Sequence, residues 1–120
     1  MAGNGGIIGP PNTVSKVYTD KITVITATGC FTKSSCNPAA PGNATVVVAA
    51  GGGGGGWDAG GGGGAGGMII KQCHPLPASA VPVTIGGGGS GANANNDKGD
   101  SGVNSVFASA CAPITAAGGG

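Results

Sequence analysis

Val46-Val47-Val48-Ala49-Ala50, then Gly51-Gly52-Gly53-Gly54-Gly55-Gly56, then Trp57-Asp58-Ala59 and five more glycines at 60–64, is the stretch whose reading decides the fold. The valines favour a pleated backbone, because β-branched side chains pack well on a sheet. Six glycines in a row suit neither a helix nor an ordinary strand, since each surrenders more backbone freedom than any other residue and offers nothing to pack. Two readings of the run compete. By composition alone it is a flexible linker. The sharper reading uses the missing Cβ: an extended, left-handed threefold rod rising about 3.1 Å per residue, so that six residues span roughly 19 Å. Such a rod has no internal hydrogen bonds, so its N–H and C=O groups must pair with neighbouring rods.

Outward from this stretch the pattern recurs. Cys36-Asn37-Pro38, Cys73-His74-Pro75 and Cys111-Ala112-Pro113 are three Cys-x-Pro triplets. Each is preceded by a short extended-looking stretch and followed by a β-prone run that enters glycines: 44–50 into 51–56, Val81-Pro82-Val83-Thr84-Ile85 into Gly86, Gly87, Gly88 and Gly89, and Ile114-Thr115-Ala116-Ala117 into 118–120. Proline cannot donate to a ladder, which predicts each triplet at a turn or strand edge. Glycine runs that follow strands three times over are not placed as linkers are. The glycines at 51–56 and 86–89 are therefore the expected packing residues of a backbone-only layer. No window long enough for a helix escapes Gly or Pro. The expected fold class is all-β and extended, with short strands alternating with polyglycine runs in polyglycine II-like packing within a homo-oligomer.

Of 120 residues, 29 are Gly and 8 Pro, and large apolar side chains are few. So sparse a set cannot close a conventional core against the cost of ordering the backbone, which predicts self-association, with a trimer expected. Disorder is the rival, but the chain is neither strongly polar nor strongly charged, as disordered chains are. Five Lys against four acidic residues give a formal net charge of +1, and Arg is absent, so a basic surface for nucleic acid is not expected. No stretch reaches the roughly 18 apolar residues of a membrane helix, and residues 1–11 lack a basic region followed by an apolar one. Two parts are expected: an arm over residues 1–20 and a glycine-rich β repeat domain over 21–120 that continues beyond 120. Ile7, Ile8, Val14, Val17 and Tyr18 carry the arm's apolar content and are the expected docking residues.

The order of these elements resembles the glycine-rich domains of bacteriophage tail fibres, above all those of phages infecting marine bacteria. There, a β run enters a glycine block, a "PVTIG" strand enters a second, and an "ITA" strand enters a third; here Val46-Val47-Val48-Ala49-Ala50, Val81-Pro82-Val83-Thr84-Ile85-Gly86 and Ile114-Thr115-Ala116-Ala117-Gly118 occupy those places. The resemblance covers roughly residues 20–120. It implies an oligomeric, often trimeric, fibre component of the virion surface, made in the host cytoplasm and involved in adsorption. The expected partners are other copies of the chain, other tail or baseplate proteins through the arm, and a glycan or protein of the host surface. A lectin-like adhesin and a secreted glycine-rich structural protein are the rival readings.

No enzyme, cofactor or metal is expected. Cys30, Cys36, Cys73 and Cys111 allow three disulfide pairings, or they act as small apolar thiols; their spacing does not suit zinc. His74 beside Cys73 is a poor nucleophile–base pair, because neighbours on an extended chain point to opposite faces. Asn93, Asn95, Asn96, Asp97 and Asp100 form an oxygen-rich loop, read as an ordinary turn rather than a Ca²⁺ site, with no Glu in the chain to bind bidentately. Trp57, between two glycine blocks, is either packed within the oligomer or exposed to stack on a sugar ring.

Overall fold

The computed structural model describes residues 22–33 and 42–120. Among these there is no helix. Six strands occur: β1 Gly29–Phe31, β2 Asn43–Ala49, β3 Met68–Pro75, β4 Val81–Thr84, β5 Ser105–Phe107 and β6 Ile114–Ala116. They form a four-stranded antiparallel sheet in the order β1-β4-β5-β6 and a two-stranded antiparallel sheet of β2 and β3. The body is elongated, with extents of 88 × 29 × 19 Å.

The two sheets face one another, β2 touching β5 and β6 and β3 touching β6. Alternation decides which side chains meet between them. Val81 and Val83 of β4, Phe107 of β5, Ile114 and Ala116 of β6 and Val48 of β2 are buried, while Pro82, Thr84 and Thr115 point outward. Ile25, Phe31, Val46, Ile69, Leu76 and Ile85 pack around this cluster. Phe107 is its hub: the Phe31 ring lies 6.1 Å away and tilted by 51°, and the His74 ring meets it edge-on at 5.7 Å and 77°, a favoured aromatic geometry. The buried cluster is as small as the composition implies, six side chains in all among the described residues.

The second Cys-x-Pro triplet takes the strand-edge alternative, Pro75 ending β3 in a two-stranded sheet. Cys73-His74-Pro75 does not make the turn; β3 runs through it, and residues 76–80 make the turn into β4. The cause is a bulge. Ala44 pairs with His74 but Val46 pairs with Lys71, so β3 carries one extra residue there, and Cys73 takes φ 53°. An extra residue switches the inward face from odd to even numbers: Ile69 points in, Cys73 is exposed, and His74 is buried against Phe107. The third triplet behaves as expected, Cys111-Ala112-Pro113 lying in the bend between β5 and β6. The first, at 36–38, lies outside the described residues.

Five of the six strands lead into or out of an extended segment, glycine-rich in every case but the one before β5, which holds two glycines in six residues. Residues 50–56 (rod 1) continue β2, and residues 60–67 (rod 2) lead into β3. Residues 86–92 (rod 3) follow β4 after Ile85, residues 99–104 (rod 4) enter β5, and residues 117–120 (rod 5) continue β6.

Candidate functional site: the glycine-rod bundle and its loop-bearing end

Hydrogen bonding between the rods advances three residues at a time, not two as in a sheet. Ala50, Gly53 and Gly56 donate to the carbonyls of Gly67, Gly64 and Gly61 on rod 2, at 2.9, 2.8 and 2.9 Å. One residue on, Gly51 and Gly54 donate to Val103 and Asp100 on rod 4, at 3.2 and 2.8 Å. The carbonyls of Gly52 and Gly55 accept from Gly89 and Ala92 on rod 3, at 2.8 and 2.9 Å, and the Gly51 carbonyl accepts from Gly119 on rod 5 at 2.9 Å. Rod 1 thus touches all four others. This three-residue period belongs to a threefold extended helix whose backbone groups radiate to separate neighbours.

The outer rods are tied to one another by the same step. Asp100 and Val103 of rod 4 donate to Ser90 and Gly87 of rod 3, at 2.8 and 2.9 Å; Gly64 and Gly67 of rod 2 donate to Gly120 and Ala117 of rod 5; Gly102 donates to Gly119 at 2.7 Å. Side chains stitch the rods to the sheets. The buried Ser105 hydroxyl accepts from the Gly86 N–H at 2.9 Å, and the Asn104 side-chain carbonyl accepts from the Gly118 N–H at 2.9 Å.

Packing this close leaves no room for a Cβ at Gly51, Gly53 and Gly54 of rod 1. A methyl at Gly51 or Gly54 would fall within the carbonyl of Gly87 or Ser90, and one at Gly53 would lie 2.5 Å from the Gly120 carbonyl oxygen. Outer rods differ: a methyl at Gly61, Gly62, Gly87 or Gly120 meets nothing within 4 Å. Of the glycines at 86–89, Gly86 and Gly89 abut the backbone of rod 4, whereas a methyl at Gly88 would lie 3.5 Å from the Gly52 carbonyl oxygen, an ordinary contact.

Rods 1 and 3 run parallel, so the connections that follow them lie at the same end, away from the sheets. Rod 1 turns into rod 2 at residues 57–60, with Gly60 donating to the Trp57 carbonyl at 2.8 Å and Asp58 at φ 52°. Rod 3 reaches rod 4 through residues 93–98, where Asp97 donates to the Ala94 carbonyl at 3.1 Å and Asn96 has φ 64°. Asp and Asn tolerate such left-handed backbone better than most residues. The two turns enclose an open cleft of 360 Å³ lined by residues 57–60 and 95–97. Trp57 is 47% exposed beside it. The oxygen-rich loop is thus one wall of a cleft whose other wall holds the indole. No sequence signal paired these segments, because the pairing follows from the register between rods.

The remaining candidate residues are scattered. Cys30, Cys73 and Cys111 are exposed free thiols on β1, on β3 and in the β5–β6 bend; held on three separate elements, they neither pair with one another nor pack as apolar residues. Cys36 lies outside the described residues, as do Ile7, Ile8, Val14, Val17 and Tyr18. Among the described residues no group of His, Cys, Asp or Glu is arranged to hold a metal ion, and no helix is long and apolar enough to cross a membrane. The buried His74 Nε2 and Ser109 hydroxyl have no hydrogen-bond partner among the described residues. Val47, Met68 and Ile70 are 57, 64 and 55% exposed on the outer face of the β2–β3 sheet.

A family model described as a glycine-rich domain matches residues 26–120, the whole repeat region and rod bundle. No curated protein sequence and no solved structure matches the chain.

Proposed function

The chain belongs to the glycine-rich domain family, and on that premise we propose that it is a structural component of a phage virion appendage, a tail-fibre piece that contributes to host adsorption. The rod bundle carries this reading. Four glycine-rich rods and the mixed rod 4, bonded through their backbones, make a spacer whose cohesion owes little to side chains, and its far end presents two loops side by side. The loops lie outside the backbone lattice, so their sequence is free to vary while the bundle holds them in place. In this reading residues 1–20 form the arm that meets other tail or baseplate proteins through Ile7, Ile8, Val14, Val17 and Tyr18. The exposed apolar row of Val47, Met68 and Ile70 supports self-association, with a trimer proposed. The chain is proposed to work by binding and scaffolding, at the virion surface, without catalysis or cofactor.

Immunogold electron microscopy on purified particles, with antiserum raised against the chain, tests the assignment. Label on tail appendages is the expected result. Label confined to cell walls, with bare particles, would favour a secreted structural protein instead.

The exposure of Trp57 beside Asn95, Asn96 and Asp97 favours a second reading, an adhesin that takes a host surface glycan. An indole face stacks on the apolar face of a sugar while the amides and carboxylates bind its hydroxyls. Trp57→Ala is expected to abolish binding of the isolated protein to host envelope fragments and to leave its melting temperature unchanged. Undiminished binding by that variant would remove the tip from the adsorption surface.

A further inference from the structure

A threefold extended rod has three residues to a turn, so its N–H groups point in three directions and its carbonyls in three more. Rod 1 fills four of these directions within the chain. Its amides at 50, 53 and 56 go to rod 2 and those at 51 and 54 to rod 4; its carbonyls at 52 and 55 go to rod 3 and that at 51 to rod 5. The third amide set, Gly52 and Gly55, and the third carbonyl set, Ala50 and Gly53, bond no described residue. Both remaining directions open on one side. Bonds link rod 2 to 5, 5 to 4 and 4 to 3 in turn around rod 1, but none joins rod 3 to rod 2, so the gap lies opposite rods 4 and 5. Residues 50–56 are accordingly only half-buried.

Each flank of that gap repeats the bonding of a groove already filled. On the inner side rod 5 lies between rods 1 and 2, donating to the Gly51 carbonyl and accepting from the Gly64 and Gly67 amides. A third of a turn away, the Gly63 and Gly66 amides bond no described residue, and a methyl on either would fall on the Gly53 or Ala50 carbonyl. The outer groove between rods 1 and 2 therefore offers the same kinds of donor and acceptor as the inner one. Rod 4 likewise accepts from Gly51 and Gly54 of rod 1 and donates to Gly87 and Ser90 of rod 3. A third of a turn away, the Gly52 and Gly55 amides and the Gly86 and Gly89 carbonyls repeat that pattern, and none of them bonds a described residue.

Glycine persists on this face where a single chain does not require it. A methyl would lie 3.7 Å from rod 2 at Gly55, and 3.5 and 3.7 Å from rod 1 at Gly88 and Gly91, all ordinary contacts. Open positions that face elsewhere do carry side chains: Ala65 on rod 2 and Ser90 on rod 3, each three residues from an unobstructed glycine. Glycine along the outer face is what a further layer of rods demands, as rod 5 demands it at Gly53. The face is also continuous with the strands. Rods 4 and 5 adjoin β5 and β6, so the side turned away from them is the side of the β2–β3 sheet that exposes Val47, Met68 and Ile70.

We infer that the outer face of rods 2, 1 and 3 is a contact surface for the glycine-rich rods of a second copy of this chain, bonded backbone to backbone in its two grooves. This rests on the self-association proposed above and gives it a second component. The apolar row supplies burial, and the rods supply register through hydrogen bonds and close Cα–H···O contacts.

Sedimentation velocity across a concentration series tests the surface. Gly55→Ala combined with Gly88→Ala is expected to fold as the parent does, because both methyls have room within one chain. It is expected to weaken self-association by roughly tenfold or more, the scale of overpacking a closed contact. Gly87→Ala, whose methyl faces neither groove, is expected to associate like the parent. Amide exchange by NMR examines the same face without substitution. Exchange at Gly52, Gly55, Gly63 and Gly66 is expected to slow by roughly fivefold or more between dilute and associated protein, about one net hydrogen bond each, with Gly62 unchanged. Undiminished association of the double variant would overturn the rod face; if Met68→Lys then abolishes it, the apolar row alone carries self-association. A parent that stays monomeric at every concentration would overturn both. Amides already protected in the dilute monomer would mean that the chain covers the face itself, and would overturn the second copy as its occupant.

Discussion

Rods 1 and 3 run parallel, share the same hydrogen-bond step and are each seven residues long, yet rod 1 is glycine from 51 to 56 while rod 3 reads Gly-Gly-Gly-Gly-Ser-Gly-Ala from 86 to 92. The difference is the number of neighbours. Rod 1 bonds to all four other rods, so side chains are shut out around most of it. Rod 3 bonds to rods 1 and 4, and its third face is open at Gly87 and Ser90. Demand for glycine therefore follows enclosure: an added Cβ would come within 3.3 Å of a neighbouring rod at five of the six glycines of rod 1, but only at Gly86 and Gly89 in rod 3. Rod 2 obeys the same rule, with Ala65 standing three residues from the unobstructed Gly62.

Placing the same methyl group in the two rods breaks or sharpens this contrast. Gly54→Ala carries the largest expected effect. Its Cβ would fall on the Ser90 carbonyl, which is backbone and itself bonded to Asp100. Relief would require moving rods 1, 3 and 4 together. A loss of about 3 kcal/mol or more is expected, read as a fall in the chemical-denaturation midpoint. A midpoint equal to the parent's would reduce the central rod to a linker.

How far the sequence could be read follows the same division between local and non-local. Val46-Val47-Val48, Val81–Thr84 and Ile114–Ala116 are legible as strands because their β-branched residues speak for themselves, and each does lead to glycines. The all-β class and the absence of helices follow from the punctuation by Gly and Pro. The course of β3 through Cys73-His74-Pro75 is only half legible: proline argued for a turn or a strand edge without choosing, while the bulge at Cys73 depends on register with β2 some thirty residues earlier. Which glycine run lies at the centre was equally hidden, apart from its length. The cleft is half legible. Trp57 stood out as an exposed candidate between glycine blocks, but nothing local to residues 95–97 says that they face it.

A second prediction concerns what attaches rod 3 to the sheets. Ser105 is fully buried and its hydroxyl takes the Gly86 N–H at the point where the backbone leaves β4 for the rod. Ser105→Ala leaves that donor without a partner in a part-buried place, at an expected cost of roughly 2 kcal/mol. Exchange of the Gly86 amide should quicken with it. An unchanged Gly86 amide would mean that the strand-to-rod junction is held by the rods alone. Ser105→Cys, similar in shape but a weaker hydrogen-bonding group, is expected to fall between the two.

The smallest effect has the opposite sign. Gly87 belongs to the same rod as Gly86 and Gly89, but a methyl built there meets nothing within 4 Å, and its backbone is not in the left-handed region that only glycine favours. Its carbonyl still accepts from Val103 at 2.9 Å, a bond that a side chain pointing to solvent does not disturb. Gly87→Ala therefore leaves the folded lattice as it is and restricts the unfolded chain, whose glycines have the most freedom to lose. A gain of about 0.4–1 kcal/mol is expected, seen as a higher denaturation midpoint with an unchanged denaturant slope, since the exposed surface hardly changes. One methyl group thus distinguishes the rods twice, costing stability at Gly54 and adding it at Gly87. If Gly87→Ala instead destabilises to the same degree as Gly54→Ala, the open face of rod 3 is covered in solution, and the enclosure rule would have to count a neighbour from a second copy of the chain.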